Sequence, residues 1–298
     1  MTSAPSLTSP TNVLGQQDFI ELGGHFFATP LGSHVAQWAC RALSIHKINA
    51  LHHQYRTYSG AAFTERVLAD PRVNVTYHVV GKENLQAVAS SPFIAIANHP
   101  FGGLDGLILI DFMLRLFPHF KLVVNSFLGR IQALRESFIP IRPRTSQKSY
   151  THNPLSNVAP LKAINQHLNN GHPLGIFPAG GVAQTLHGNG ISWDQPWQNS
   201  SLKLLKRAQV PLVPILIWGA NSKLYHRLSP HYLLKTLKVP SELFNKQGQN
   251  IPVFVGPPIL PNEVAAVCNT SFGNYNKLRN HLYQKLFSLH NYNTTPTV

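Results

Sequence analysis

Two residues with five positions between them, His99 and Asp105, carry the most suggestive chemistry in the chain. They sit in the run Ile94-Ala-Ile-Ala-Asn98-His99-Pro-Phe-Gly-Gly103-Leu-Asp105-Gly. An aspartate bonded to one ring nitrogen of a histidine fixes the tautomer and leaves the other nitrogen free to take a proton. Deprotonating a hydroxyl requires such a base, which when positioned is worth ~10²–10⁴ in rate. Spacing alone is weak: with 16 His in the chain, a His and an Asp at this separation arise by chance roughly 0.3 times. A bland arrangement, with Asp105 capping a helix and His99 in an ordinary turn, fits the spacing as well.

The elements around the pair favour the chemical reading. Phe93 to Ala97 reads as a short buried strand that delivers Asn98 and His99 to its C-terminal end, where ligands of α/β sheets bind. Gly102 and Gly103 allow a sharp turn and close approach of a substrate. Asp105 then opens a helix running to about Phe117, where a carboxylate is favoured. Backbone N–H groups near Gly102 and Gly103, with the helix N-terminus behind them, are candidate donors to an oxyanion. No Gly-x-Ser-x-Gly elbow is present, and a hydroxyl acceptor activated by His99 needs no Ser or Cys nucleophile.

Along the rest of the chain, strand and helix signals alternate. Strands are expected at Val73–Val80, Leu122–Val124, Phe138–Ile141, Leu174–Phe177, Val210–Trp218 and around Val253. Helices are expected at Leu161–Leu168 and Ser201–Ala208, with a closing helix marked by Leu278, Leu282, Leu286 and Leu289. The pattern predicts an α/β fold, a single domain with a central mixed sheet flanked by helices. Pro211 and Pro214 point to a sheet edge or a bulge. Leu31, Val35, Trp38, Ala42, Ile45, Ile48 and Leu51 recur at helical spacing, so an N-terminal amphipathic helical segment precedes the sheet. It would either lie in a bilayer interface or pack on the sheet. The organisation expected is a disordered leader over 1–17, a helical segment with possible membrane contact over 18–70, and the main domain over 71–298.

Composition narrows the partners. Hydrophobic residues make up 43% of 298 and charged residues only 12%, yet the net charge is +14. A scarcely charged but basic surface suits a polyanion, either nucleic acid or an anionic membrane. No helix-turn-helix, zinc-finger or RNA-recognition signature supports nucleic acid. Clusters such as Lys203, Lys206 and Arg207, or Lys235 and Lys238, would instead attract anionic lipid. No apolar run reaches the ~18 residues of a spanning helix, and no signal peptide is read. A cytoplasmic protein peripheral on the inner membrane is expected. Cys40 and Cys268 lack metal or redox spacing and read as buried thiols. No metal or cofactor is expected.

The block Asn98-His99-Pro-Phe-Gly-Gly-Leu-Asp105-Gly resembles the first motif of the lysophospholipid acyltransferase superfamily, the 1-acylglycerol-3-phosphate acyltransferase type. The common form has four residues between His and Asp; the longer, double-glycine form is similar to a hemolysin-like branch that includes lyso-ornithine-lipid and glycine-lipid O-acyltransferases. Phe138-Ile-Pro-Ile-Arg142, Gly175-Ile-Phe-Pro178-Ala-Gly180 and Val210-Pro-Leu-Val-Pro214 resemble the later blocks in order. Trp197, Gly219-Ala-Asn221-Ser222 and Tyr225 also look like that branch. The resemblance covers roughly residues 25 to 260. It implies a glycerolipid acyltransferase-like fold and an O-acyltransferase that takes acyl carrier protein or coenzyme A thioesters as donor and a lyso-lipid as acceptor. His99 and Asp105 would be catalytic, with Asn98, Gly102, Gly103, Arg142, Pro178, Gly180 and Asn221 on the substrate side. Ala179 stands where the superfamily usually has glutamate. That departure points away from glycerol phosphate, the main alternative acceptor, and toward an aminoacyl lyso-lipid. A basic nucleic-acid-binding or non-catalytic membrane protein is the reading of a different class.

Overall fold

Ile94-Ala-Ile-Ala forms a strand in which every residue is buried, the signature of a strand covered on both faces of a parallel sheet. Ile94 and Ile96 enter one core layer, Ala95 and Ala97 the other. A computed structural model of the chain describes residues 29, 44–142, 157–186, 192–228, 232–269 and 275–294. Among these, seven strands form one sheet in the order β1-β9-β8-β2-β5-β3-β4. The strands are β1 (Thr76–Val80), β2 (Ile94–Ala97), β3 (Lys121–Asn125), β4 (Phe138–Ile141), β5 (Leu174–Ile176), β8 (Leu212–Ile217) and β9 (Asn250–Val255); β6 (Thr185–Leu186) and β7 (Ser192–Trp193) form a small antiparallel ribbon. β2 runs parallel to both neighbours, while β8 and β9 are antiparallel. The sheet is therefore mixed, as the sequence pattern predicts.

Helices cover both faces. On one lie α1 (Ile45–Tyr55), α2 (Gly60–Ala69) and α3 (Gly103–Leu116), whose Leu51, Phe63, Val67 and Ile108 share a core with Ala95 and Val213. On the other lie α4 (Val158–Asn169), α5 (Asn199–Ala208), α8 (Pro261–Asn269) and α9 (Asn276–Phe287), which bury Ile164, Leu202, Val264 and Leu282 against Ile94 and Ile96. Two further helices, α6 (Lys223–Arg227) and α7 (Tyr232–Phe244), follow β8. The expected segment 31–51 lies outside the described residues up to 43. Its described remainder opens α1 and buries Ile45 and Leu51 within the protein.

The charges within α3 have structural work. Buried Asp111 accepts hydrogen bonds from Thr64 Oγ1 on α2 at 2.9 Å, from the Tyr77 hydroxyl on β1, and from Arg115 Nε at 3.1 Å. Burial and that carboxylate push the Tyr77 phenol well above its ordinary range.

Two expectations are corrected, and the alternative of a sheet edge or a bulge resolves to the bulge at Pro214. β8 is an interior strand rather than an edge. Between the Ile215–Val255 pair and the Leu212–Ile259 bridge, the chain after β9 takes four steps against three in β8. The missing N–H of Pro214 thus falls at a bulge rather than in the regular ladder. Cys268 is only partly buried, and Cys40 lies outside the described residues. Lys238 is not a free surface cation: its ammonium donates to Ser241 Oγ at 2.8 Å and stands 3.7 Å from the buried Glu242. Among the described residues no helix is long and apolar enough to cross a membrane.

Candidate active site

β2 ends beside β5 and β8, and its connection leaves over the α1–α3 face while the one after β5 leaves over the α5 face. Such a switch point opens a crevice at the carboxyl ends of the strands. Asn98 extends β2 by one side chain. Its Nδ2 donates to the Ile217 carbonyl at 2.8 Å and its Oδ1 accepts from the Ile217 amide at 2.7 Å. This corrects the substrate-side reading of Asn98: it is fully buried and both ends of its amide are engaged with β8.

His99 follows, one-sixth exposed, with its Nδ1 at 2.8 Å from Oδ2 of fully buried Asp105. The pair is at hydrogen-bond distance, but the ring N–H line misses the oxygen; such contacts tighten when substrate binds. The same Oδ2 accepts the amides of Phe101 at 2.9 Å and Gly102 at 2.8 Å. Capping and orienting the histidine are therefore one arrangement, since Asp105 is the third residue of α3 and folds back over its own turn. Nδ1 is buried, so the exposed part of the ring lies on the other side. Phe177 stacks on the imidazole, with centroids 4.2 Å apart at 20°.

The turn needs Gly102. Its φ is +100°, and a Cβ there would lie 2.6 Å from Val239 Cγ1. Its amide, however, is held by Asp105, which removes it from the candidate oxyanion donors. Gly103 is different: it is exposed, and nothing lies within 4 Å of where a Cβ would stand. Asn221, buried on the loop after β8, donates to the Phe101 carbonyl at 3.2 Å. Through that bond it braces the turn. Beneath it, Glu242 accepts from the Ser222 amide and Oγ, each at 2.8 Å, and Lys246 stands 5.3 Å from the Phe101 ring centroid. Burial holds the Lys246 ammonium below its usual range, although Glu242 and Asp105 oppose that.

The segment after β5 forms the other wall. Pro178 and Ala179 are buried, and Ala183 donates its amide to the His99 carbonyl at 2.8 Å. Gly180 sits at φ +68°, and a Cβ there would meet Gln198 Nε2 at 2.3 Å. Both Pro178 and Gly180 thus shape this wall by packing on residue 198, whose amide bonds the Pro178 carbonyl. Arg142 is exposed at the end of β4, on the same edge as His99 but three strands away, a lateral distance of about 14 Å. A cleft of about 430 Å³ lined by Pro214, Pro257, Ile259, Lys285 and Leu289 lies at the opposite edge. Its only ionisable lining residue is Lys285, whereas the paired His99 and Asp105 lie at the other edge.

Sequence reasoning missed Phe177 and Asp194. Asp194 is buried, and its Oδ1 accepts the His99 amide at 2.9 Å. One signal was available: in a chain with only 11 acidic residues, an aspartate between Trp193 and Trp197 stands out. Burial pushes the Asp194 carboxyl up to about 7, against hydrogen bonds from His99 and Trp197 that favour its charged form. Among the described residues no three His, Cys, Asp or Glu converge to hold a metal ion.

A family model described as acyltransferase matches residues 25–290. The chain belongs to that acyltransferase family. This acyltransferase is 24% identical to the lyso-glycine lipid O-acyltransferase of Bacteroides thetaiotaomicron over 72% of its own length and 76% of the relative's. It is also similar to the crystal structure of the 1-acyl-sn-glycerophosphate (LPA) acyltransferase PlsC from Thermotoga maritima, with a TM-score of 0.46 and 15% identity over 95% of this chain and 97% of that one.

Proposed function

We propose that the enzyme moves a fatty acyl group from an acyl carrier protein or coenzyme A thioester to the hydroxyl of a lyso-lipid, with His99 as general base. The observation that carries this is the 2.8 Å contact between His99 Nδ1 and buried Asp105, with the exposed part of the ring facing away from it. The outer ring nitrogen takes the acceptor's proton as its oxygen attacks the thioester carbonyl. Collapse of the tetrahedral intermediate expels the thiolate, which receives that proton; an ester and a free thiol leave. The first-turn amide of Gly103, at the positive end of α3, is the donor we assign to the oxyanion. Open space beside Gly103 suits the approach of substrate.

For the acceptor we favour an aminoacyl lyso-lipid. Ala179 buries its methyl in the apolar core, so no carboxylate is offered there, and the 24% identical relative is named for a lyso-glycine lipid. Arg142 would bind a carboxylate or a phosphate equally well, which keeps 1-acylglycerol-3-phosphate as the second acceptor. We place the enzyme on the cytoplasmic membrane surface, where exposed Lys203, Lys206 and Arg207 on α5 would meet anionic lipid. Purified protein assayed with lyso-glycine, lyso-ornithine and lysophosphatidic acceptors tests the proposal. Activity on an aminoacyl lyso-lipid that vanishes in His99→Ala supports it, and an undiminished His99→Ala enzyme overturns it. Flotation with anionic liposomes at low salt tests the membrane placement.

A further inference from the structure

We propose that Asp194 is a positioning residue for His99: its ionised carboxylate fixes the His99 peptide from behind, and neutralising it releases the base. The inference rests on the reading of His99 as general base. Asp194 never reaches the crevice. It lies at the end of the β6–β7 ribbon, buried, and acts through the main chain of the histidine.

Three contacts define the arrangement. Oδ1 accepts the His99 amide at 2.9 Å, Oδ2 accepts Trp197 Nε1 at 3.1 Å, and the Asp194 carbonyl accepts the Tyr283 hydroxyl at 3.1 Å. The Ala183 amide holds the next peptide group, on the other side of the His99 Cα, through the His99 carbonyl at 2.8 Å. The loop that carries Asp194 is in turn clamped to α9. Arg279 Nε donates to the Trp197 carbonyl at 2.9 Å, and Trp193 stacks on Phe287 with centroids 4.6 Å apart at 8°. Asp194 therefore couples α9 to the end of β2.

Both carboxylate oxygens face N–H donors, an environment made for the acceptor-only, ionised form. A protonated carboxyl carries an O–H, which must turn one of those oxygens away from its donor. Either the Trp197 bond or the His99 bond is then weakened. The titratable groups that face Asp194 are His99 after β2, Asp105 on α3 and Tyr283 on α9. Asp105, itself a carboxylate, adds to the burial that resists ionisation, while the neighbouring donors oppose it. Activity then requires the deprotonated form of Asp194 on the acid side.

The test compares wild type, Asp194→Asn, Trp197→Phe and His99→Ala full-length proteins in acyl transfer between pH 5 and 9. Asp194→Asn is expected to lower kcat at pH 8 by tenfold or more, with donor KM within twofold. The acid limb of log kcat should become less steep than in wild type. Trp197→Phe removes the donor to Oδ2 and should move the acid limb to higher pH; it carries the test alone if Asp194→Asn fails to fold. A folded Asp194→Asn with wild-type kcat and acid slope overturns the inference, as does an unmoved acid limb in Trp197→Phe. His99→Ala separates the two levels: an active His99→Ala overturns the base reading and this inference with it. An inactive His99→Ala beside an unaltered Asp194→Asn overturns only the role of Asp194.

Discussion

Asn98 and Ile217 exchange two hydrogen bonds between a side chain and a main chain, so that a residue just past β2 is still paired with β8. The next residue is His99, the base we propose, and its direction follows from that pairing. Asn98→Ala leaves a buried amide N–H and a buried carbonyl without partners, a loss of ~2–4 kcal/mol. A lower Tm by thermal melt and a fall in kcat of tenfold or more are expected together.

Asp105 and His99 should separate in stability although we assign both to the proposed catalysis. Asp105→Ala removes the acceptor of the Phe101 and Gly102 amides, at ~1–3 kcal/mol per buried donor left unmet. His99→Ala removes no such acceptor. Both variants should lose ~10²–10⁴ in kcat, while only Asp105→Ala shows a clearly lower denaturation midpoint.

Gly180→Ala meets two obstacles, a positive φ and Gln198 Nε2 at 2.3 Å. The expected cost is ~1–3 kcal/mol, with weakened activity through the wall that holds His99. Adding Gln198→Ala removes the collision but not the backbone strain. The double variant should recover part of the lost stability, which a denaturant titration of the four-member cycle would read.

The pH dependence of stability reports on Asp194. Its carboxyl is raised from 3.8 to about 7 in the folded chain, so between those values the folded state binds the proton and the unfolded state does not. Stability from this group is therefore greatest in acid and falls as pH rises through the window, levelling off above about 7. The upper bound on that fall is about 4 kcal/mol. Asp194→Asn cannot ionise, so its unfolding free energy should decline less than wild type between pH 5 and 8, even as its kcat drops.

The layered α/β fold was legible because β2, β5 and β8 are nearly unbroken apolar runs bounded by glycine or proline, and because Leu278, Leu282 and Leu286 keep one helical face. The His99–Asp105 contact was legible because both partners lie in one turn, where spacing constrains distance. Asp194 lies 95 positions from His99 and Asn98 lies 119 from Ile217, and no local periodicity encodes such approaches. Side chains that serve the main chain, such as Asn98 and Asn221, look from sequence like polar groups meant for a ligand. Helices α6, α7 and α8 were not legible in the sequence: α6 spans only 5 residues, and α7 contains Pro240, which reads as a breaker.

The clamp formed by α9 has a consequence for synthesis. His99 and Asp105 leave the ribosome well before Arg279, Tyr283 and Phe287, so the turn that holds them can form its own contacts before α9 is there to clamp the loop behind it.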